Sequence, residues 1–279
     1  MSTKTHAYVV SSAASVATPK PAEQNQDRAC AFSTSTGAAA ALCDGVGSYR
    51  DSGVVAEQCL AVAVEHIETL GVGVGVVGCA DAVSEFAVDL RESYEGATTL
   101  IAVGAETGGA MYFTMVGNGA IYAIEAVDAS HERAELYSAN LVVPHIGYGD
   151  GQLALRSFLP APSLPVERSA GALFAPRKRA VLLLGCSDGI STAEDCPIGR
   201  TSNGDVWQHV APPLAAVLDI LAIRWTDLLA QDDGGILLGE VFSNTLDGLL
   251  SGGRLEDDAT LVGVLVKPRG DELGPVAIG

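Results

Sequence analysis

Residues 38–45 (AAAALCDG) and 179–189 (RAVLLLGCSDG) are apolar strands that each run directly into an Asp-Gly pair. Two further predicted strands also carry an aspartate at one end. Asp27 precedes the first of them, and Asp257 lies in the turn that enters the second. A single Asp-Gly pair indicates only a turn. Four carboxylates at strand ends indicate a shared site, because a rigid sheet can hold such side chains in fixed positions.

Around these segments the predicted strands come in runs and the predicted helices in pairs. Apolar runs predict strands at 6–17, 29–32, 38–43, 98–103, 110–116, 120–126, 179–186 and 261–267, and helical spacing predicts helices at 52–70, 79–94, 206–230 (starting late, at its Pro-Pro pair) and 236–250. The three runs within 98–126 predict an antiparallel meander, and the Pro/Gly-rich segment 138–165 predicts irregular structure. This order favours an α+β fold over a doubly wound parallel sheet. Because no linker divides the chain, we expect one domain over residues 1–279.

Composition excludes several classes of function. The 279 residues include 34 Asp and Glu against 16 Lys and Arg, for a formal net charge of -18. This charge argues against nucleic-acid binding through a basic face. None of the six cysteines forms a C-x-x-C pair, and no apolar run reaches the length of a membrane span. We therefore expect a monomeric cytoplasmic protein with no nucleic-acid or membrane partner.

The predicted aspartate site has the chemistry of a centre for hard cations. Carboxylate oxygens without accompanying histidines favour Mg²⁺ or Mn²⁺ over zinc. The glycines directly after Asp44 and Asp188 allow close approach of the backbone, so that a carbonyl can be a further oxygen ligand. Two such ions about 3.5–4 Å apart can activate a water and stabilise an in-line displacement at phosphorus.

Two other features are interpreted as having no catalytic role. Residues 73–78, GVGVVG, match the G-x-G-x-x-G pattern of dinucleotide sites, which requires a preceding strand. Because the preceding segment is predicted to be a helix, we interpret 73–78 as a flexible connection between two helices. Tight NAD binding would favour the alternative, an oxidoreductase. His145 lies in the irregular segment and is interpreted as a loop histidine without a role.

Six short segments follow one another along the chain: Asn25-Gln26-Asp27-Arg28, Asp44-Gly45-Val46-Gly47-Ser48, Gly96-Ala97-Thr98-Thr99, Val116-Gly117-Asn118-Gly119, Cys186-Ser187-Asp188-Gly189-Ile190 and Asp257-Asp258-Ala259-Thr260. In order and approximate spacing they resemble those of the type 2C metal-dependent serine/threonine phosphatases. The resemblance covers about residues 6–267. It implies a β-sandwich of two antiparallel sheets flanked by helix pairs, with metals held at one end of the sandwich.

The resemblance also implies a role for each predicted site residue. Asp44 would bridge two Mn²⁺ or Mg²⁺ ions, and the Gly45 carbonyl would ligate one of them. Asp188 and Asp257 would hold the other ion, and Asp27 would act through metal-bound water. Asp44, Asp188 and Asp257 are the predicted catalytic residues. The expected nucleophile is a metal-bridging water or hydroxide, and the expected substrate is phosphoserine or phosphothreonine in a signalling phosphoprotein.

The sequence departs from the family pattern at several positions. Asn118 replaces an aspartate that helps to hold a third metal, so a third ion is expected to bind poorly. Ala22 stands near the position of a phosphate-binding arginine, and Lys20 and Arg28 are interpreted as solvated loop cations. Gln26 replaces a common glutamate, and no histidine matches the proposed general acid of some members. These departures leave a second hypothesis open: a catalytically weak, phosphoprotein-binding or regulatory member of the same fold.

Overall fold

The computed structural model describes residues 8–18, 25–129, 132–149, 152–160, 166–175, 179–191, 198–200, 206–208, 211–231 and 234–267. Most strands in these ranges belong to two five-stranded antiparallel sheets. In spatial order, the first sheet contains β1 (Tyr8–Val16), β14 (Ala259–Lys267), β11 (Val181–Cys186), β6 (Ala120–Asp128) and β7 (Glu135–Asn140). The second contains β10 (Ser169–Phe174), β5 (Ala110–Val116), β4 (Leu100–Glu106), β3 (Gly37–Cys43) and β2 (Arg28–Ser33). Two small hairpins pair β8 (Ile146–Gly149) with β9 (Gln152–Leu155), and β12 (Ile198–Arg200) with β13 (Val206–Gln208).

Two helix pairs cover the outer faces of the sheets. Helices α1 (Ser52–Leu70) and α2 (Val72–Leu90) pack on the second sheet, and α4 (Pro212–Ala230) and α5 (Gly234–Ser251) pack on the first. A four-residue helix, α3 (Asp188–Ser191), follows β11. The layers therefore run helix pair, sheet, sheet, helix pair, which confirms the predicted fold class. No helix in the described ranges is long and apolar enough to cross a membrane.

Period-two alternation in the central strands explains these layers. In β14, Val262, Val264 and Val266 pack between the two sheets. Leu261 and Leu265 of the same strand pack beneath the α4/α5 pair. Each fully buried Val or Leu contributes about 1.5–3 kcal/mol relative to an exposed one. A strand that is apolar on both faces is thus stabilised only in the interior of a layered fold.

The prediction of a flexible connection at 73–78 is wrong, because α2 already begins at Val72. Val72 and Val76 are buried, so this segment contributes to the core as a helix. A Cβ at Gly75 would lie 2.6 Å from the Ile67 Cα, so glycine here allows α1 and α2 to approach closely. Since the segment is helical, it forms no phosphate-binding loop of the dinucleotide type.

The predicted three-stranded meander is also wrong. β4 and β5 pair as expected, but the next strand, β6, pairs with β11 and β7 in the opposite sheet. The 117–119 turn, in which Gly117 has a φ of +125°, connects β5 in the second sheet to β6 in the first. The segment 138–165, predicted to be irregular, contains the end of β7 and the β8–β9 hairpin, while 150–151 and 161–165 lie outside the described residues. β7 is specified by its partner β6, which local composition does not reveal.

Candidate metal centre

The four predicted aspartates lie at strand ends in both sheets. Asp27 directly precedes β2, and Asp44 directly follows β3, so the second sheet places two of them together. Asp188 follows β11 by two residues, and Asp257 precedes β14 by two residues. The neighbouring strands β11 and β14 are antiparallel, so Asp188 and Asp257 also lie at one end of their sheet. The sandwich brings the two pairs to the same end.

Three of these carboxyl groups are in direct contact. The Asp44 side chain is hydrogen-bonded to the side chains of both Asp27 and Asp188. Asp188 in turn lies close enough to Asp257 for the charge of Asp257 to act on it. Two carboxyl groups can form a hydrogen bond only when one of them carries a proton. These contacts therefore favour retention of a proton within the cluster.

Burial and mutual repulsion account for this proton retention. Burial raises the pKa of Asp27 to about 7, and the negative charges of Asp258 and Asp188 add to the effect. Burial raises the pKa of Asp44 well above its usual range, as do the charges of Asp27 and Asp188. The pKa of Asp188 is raised by burial and by the charge of Asp257. A divalent cation would reverse this balance, because it favours the charged form of every carboxylate it touches.

As the side chains lie, no group of three or more His, Cys, Asp or Glu residues in the described part of the chain could hold a metal ion. The donor set itself fits a hard cation, because it offers several acidic oxygens within one buried cluster.

The Asp27 carboxylate is held by groups from distant parts of the chain. The Thr260 hydroxyl of β14 is fully buried and donates a hydrogen bond of 2.7 Å to Asp27 Oδ2. The hydroxyl group of Ser15 lies 2.8 Å from the Thr260 oxygen, which completes the bonding of that hydroxyl. The Asp27 N–H donates to Asn25 Oδ1 at 2.8 Å. Asp27 is only 3% exposed, so its orientation is fixed by these bonds and by packing.

The backbone geometry at Gly45 directs its carbonyl away from the facing residue, Thr98. Gly45 faces Thr98 in an isolated antiparallel bridge. The flanking bonds, Thr99 N to Asp44 O at 2.8 Å and Val46 N to Ala97 O at 2.9 Å, make Gly45 and Thr98 a non-hydrogen-bonded pair. In such a pair the N–H and C=O of Gly45 point away from Thr98. The predicted use of this carbonyl as a ligand is therefore sterically feasible.

A glycine also sets the spacing between Asp188 and Asp257. A Cβ at Gly189 would lie 2.2 Å from the carbonyl oxygen of Asp258 and 3.2 Å from that of Asp257. Such a distance is impossible for a real methyl carbon. Glycine at 189 thus allows the start of α3 to rest against the turn before β14, which places Asp188 beside Asp257.

Two ionic side chains shape the loop before β2. Asp258 accepts hydrogen bonds from the backbone N–H groups of Thr18 and Gln26, each at 2.9 Å. The Arg28 guanidinium donates to the carbonyls of Asn25 and Asp27, each at 2.8 Å. The interpretation of Arg28 as a solvated cation is therefore wrong, since it binds the backbone beside Asp27. Lys20 and Ala22 lie outside the described residues.

Asn118 contacts the cluster directly. Its side-chain N–H₂ group donates a short hydrogen bond to Asp188 Oδ2. Its Oδ1 atom is buried and has no hydrogen-bond partner among the residues that the structure describes. An unpaired buried oxygen beside a carboxylate is costly unless a donor or a cation is present. This observation independently indicates that the cluster fits a positive ion.

The comparison with known proteins rests on structure, since no family model and no curated protein matches the chain. The serine/threonine phosphatase PstP/Ppp of Mycobacterium tuberculosis superimposes with a TM-score of 0.57 at 17% identity, covering 94% of this chain and 99% of that one. The chain has the type 2C phosphatase fold. The catalytic domain of PstP in complex with two manganese ions matches with a TM-score of 0.53 at 18% identity, again covering 94% and 99% of the two chains.

The type 2C fold also occurs in a longer chain. A sex determining protein of C. elegans matches with a TM-score of 0.57 at 13% identity over 94% of this chain. Our chain spans 65% of that protein. The resemblance drawn from the six segments is thus confirmed for the fold, and the chemistry depends on the aspartate cluster itself.

Sequence reasoning missed the groups that orient the aspartates. Thr260 and Asp258 belong to a segment that was singled out for Asp257 alone. Asp258 had a usable signal, since an acidic residue beside a predicted ligand either joins the site or binds nearby N–H groups. The role of Thr260 had no local signal, because its acceptor lies 233 residues away.

Proposed function

We propose that this protein is a metal-dependent phosphatase that hydrolyses phosphoserine or phosphothreonine in proteins, as one phosphatase-like domain. The observation that carries the proposal is the contact of Asp27, Asp44 and Asp188, with Asp257 adjacent. A cluster of this kind is unfavourable without cations, so its presence at one end of the fold points to metal binding rather than to stability.

The residues present would hold two Mn²⁺ or Mg²⁺ ions. Asp44 lies between the other carboxylates and would bridge the ions, with the Gly45 carbonyl on one and Asp188 and Asp257 on the other. When bound, such ions supply Lewis acidity and lower the pKa of water. Thr260 donates to the Asp27 carboxylate and Asn25 accepts from the Asp27 backbone N–H, which together fix the direction from which Asp27 would accept hydrogen bonds from water at the centre.

A phosphoprotein substrate is supported by the fold, which this chain shares with serine/threonine phosphatases. The five cysteines within the described residues are free thiols, as in proteins of a reducing compartment, which supports the cytoplasmic assignment. A monomer is part of the same proposal.

The test is hydrolysis of p-nitrophenyl phosphate and of phosphoserine, phosphothreonine and phosphotyrosine peptides, with Mn²⁺, with Mg²⁺ and after chelation. We expect metal-dependent turnover of the first two peptides. Asp44→Ala should abolish turnover and weaken Mn²⁺ binding measured by calorimetry. Asp247→Ala, which removes an exposed carboxylate of α5, is the matched control and should behave as the original chain. Full activity of Asp44→Ala, or turnover that survives chelation, would refute the metal assignment.

One observation favours the second candidate, a phosphoprotein-binding or regulatory protein. Asn118 places an amide N–H on an oxygen of Asp188, where an aspartate would offer a carboxylate to a cation. If the folded protein binds Mn²⁺ and phosphopeptide in calorimetry without releasing phosphate, this second candidate is correct and the enzyme proposal fails.

A further inference from the structure

We propose that His145 is a positioning residue that holds the 117–119 turn and thereby fixes Asn118 against Asp188. This inference rests on the proposed function, because it concerns how the same centre is assembled. It assigns a role to the histidine that sequence interpretation left without one.

His145 and Gly117 bind each other through two hydrogen bonds. The His145 N–H donates to the Gly117 carbonyl at 2.7 Å. The Gly117 N–H donates to His145 Nδ1 at 3.1 Å. His145 is 8% exposed, so neither bond competes freely with water. Both polar groups of Gly117, the residue with φ +125° that starts the turn, are therefore satisfied by one histidine.

These contacts define the protonation of the imidazole ring. A backbone N–H is only a donor, so Nδ1 must present its lone pair to Gly117. The ring proton then resides on Nε2, which lies 3.3 Å from the Ser169 hydroxyl of β10. Burial lowers the pKa of His145, while the charge of Glu167 acts in the opposite direction, so the neutral ring is favoured at physiological pH. The turn is thus bound to β10 through one neutral side chain.

The same residue connects the turn to the β8–β9 hairpin. The His145 carbonyl accepts a hydrogen bond of 2.8 Å from the N–H of Arg156, which directly follows β9. The residue after Gly117, Asn118, donates a hydrogen bond to Asp188 Oδ2 and so contacts the aspartate cluster directly. Loss of the Nδ1 contact would leave a buried N–H unsatisfied, which is unfavourable unless the turn moves. Movement of the turn would carry Asn118 away from Asp188.

The experiment uses two substitutions that differ in one acceptor. In His145→Asn, the side-chain Oδ1 lies near the position of the histidine Nδ1. In His145→Gln, the amide group lies near the position of Nε2 instead. We expect His145→Gln to weaken Mn²⁺ binding by about 10–100-fold in calorimetry, the range seen when groups behind a ligand are removed. His145→Asn should restore most of that affinity. Asp247→Ala, which removes an exposed carboxylate of α5, is the control and should bind Mn²⁺ normally.

A second readout does not require metal. Amide hydrogen exchange of Gly117 in the metal-free protein should be slow in the original chain and in His145→Asn, and fast in His145→Gln. The proposal is overturned if His145→Gln and His145→Asn change Mn²⁺ affinity equally, or if the Gly117 amide stays protected from hydrogen exchange in His145→Gln. If the original chain binds Mn²⁺ without phosphatase turnover, the proposed function fails and the affinity series still decides the role of His145. If the original chain binds no Mn²⁺, this proposal is overturned together with the metal centre.

Discussion

The substitution Gly189→Ala should increase the separation between Asp188 and Asp257, because the added methyl group has no room. The new methyl carbon would lie 2.2 Å from the Asp258 carbonyl oxygen, whereas carbon and oxygen approach no closer than about 3.3 Å in ordinary weak contacts. The obstructing atoms, the carbonyl oxygens of Asp258 and Asp257, belong to the backbone and cannot rotate away. The α3 helix and the turn before β14 must therefore move apart by roughly 1 Å, the difference between the two distances. Asp188 and Asp257, which these segments carry, would move apart with them.

We expect this shift to weaken Mn²⁺ binding and to reduce turnover about 100-fold, the usual effect of a 1 Å displacement at a reacting centre. The strain should lower the free energy of unfolding by about 1–3 kcal/mol. Calorimetric titration with Mn²⁺, phosphatase kinetics and urea unfolding in chelator measure these three quantities.

Gly248→Ala is the matched control, because a Cβ there has no atom within 4 Å. Gly248 lies inside α5, so alanine should stabilise the protein by about 0.5–1 kcal/mol and leave Mn²⁺ affinity unchanged. If Gly189→Ala binds Mn²⁺ as tightly as the original chain, the close approach of these segments does not set the metal geometry, and the reasoning fails.

Three further predictions concern groups around the cluster. Thr260→Val keeps the side-chain shape but removes the donor to Asp27, so Mn²⁺ binding should weaken by about 1.5–3 kcal/mol; unchanged calorimetric affinity would contradict the role of this bond. In the metal-free protein, the pKa of Asp27 is about 7 against an ordinary 3.8, so the folded chain binds more protons than the unfolded chain between these values. The free energy of unfolding should therefore fall as pH rises through that range, and Asp27→Asn should flatten the slope in urea titrations; parallel slopes would count against the raised pKa. Asn118→Asp places a new carboxylate beside Asp188 and should add a weak third Mn²⁺ in calorimetric stoichiometry, whereas an unchanged stoichiometry would show that no third ion is held there.

Much of the fold could be predicted because its signals are local. The helix at 52–70 matches α1 residue for residue, because helical apolar periodicity spans that range. Of the predicted strand at 179–186, residues 181–186 form β11 and are apolar throughout, because β11 lies between two covered faces. Asp27, Asp44 and Asp188 were expected to share a site, and the structure brings their side chains into contact. Their roles toward metal stay predictions.

What the sequence could not show depends on partners far along the chain. β6 leaves the predicted meander because β11 offers it a full ladder of hydrogen bonds in the other sheet. The glycines of 73–78 indicate flexibility in isolation, yet Gly75 serves close packing against α1. Asp258 is fixed by a backbone group 240 residues away. Such pairings are tertiary, and no local periodicity encodes them.

The pairing of β1 with β14 has a consequence for biosynthesis. Asp27 emerges from the ribosome early, but its partner Thr260 is synthesised 233 residues later. At roughly 5–20 residues per second, this delay is about 10–50 s. During that time one edge of β1 lacks the neighbour it has in the finished protein, and it is open to pairing with other nascent chains. The complete aspartate cluster can form only after Asp257 has been added, so a chain that ends before Asp257 would lack the complete cluster and would be prone to aggregate.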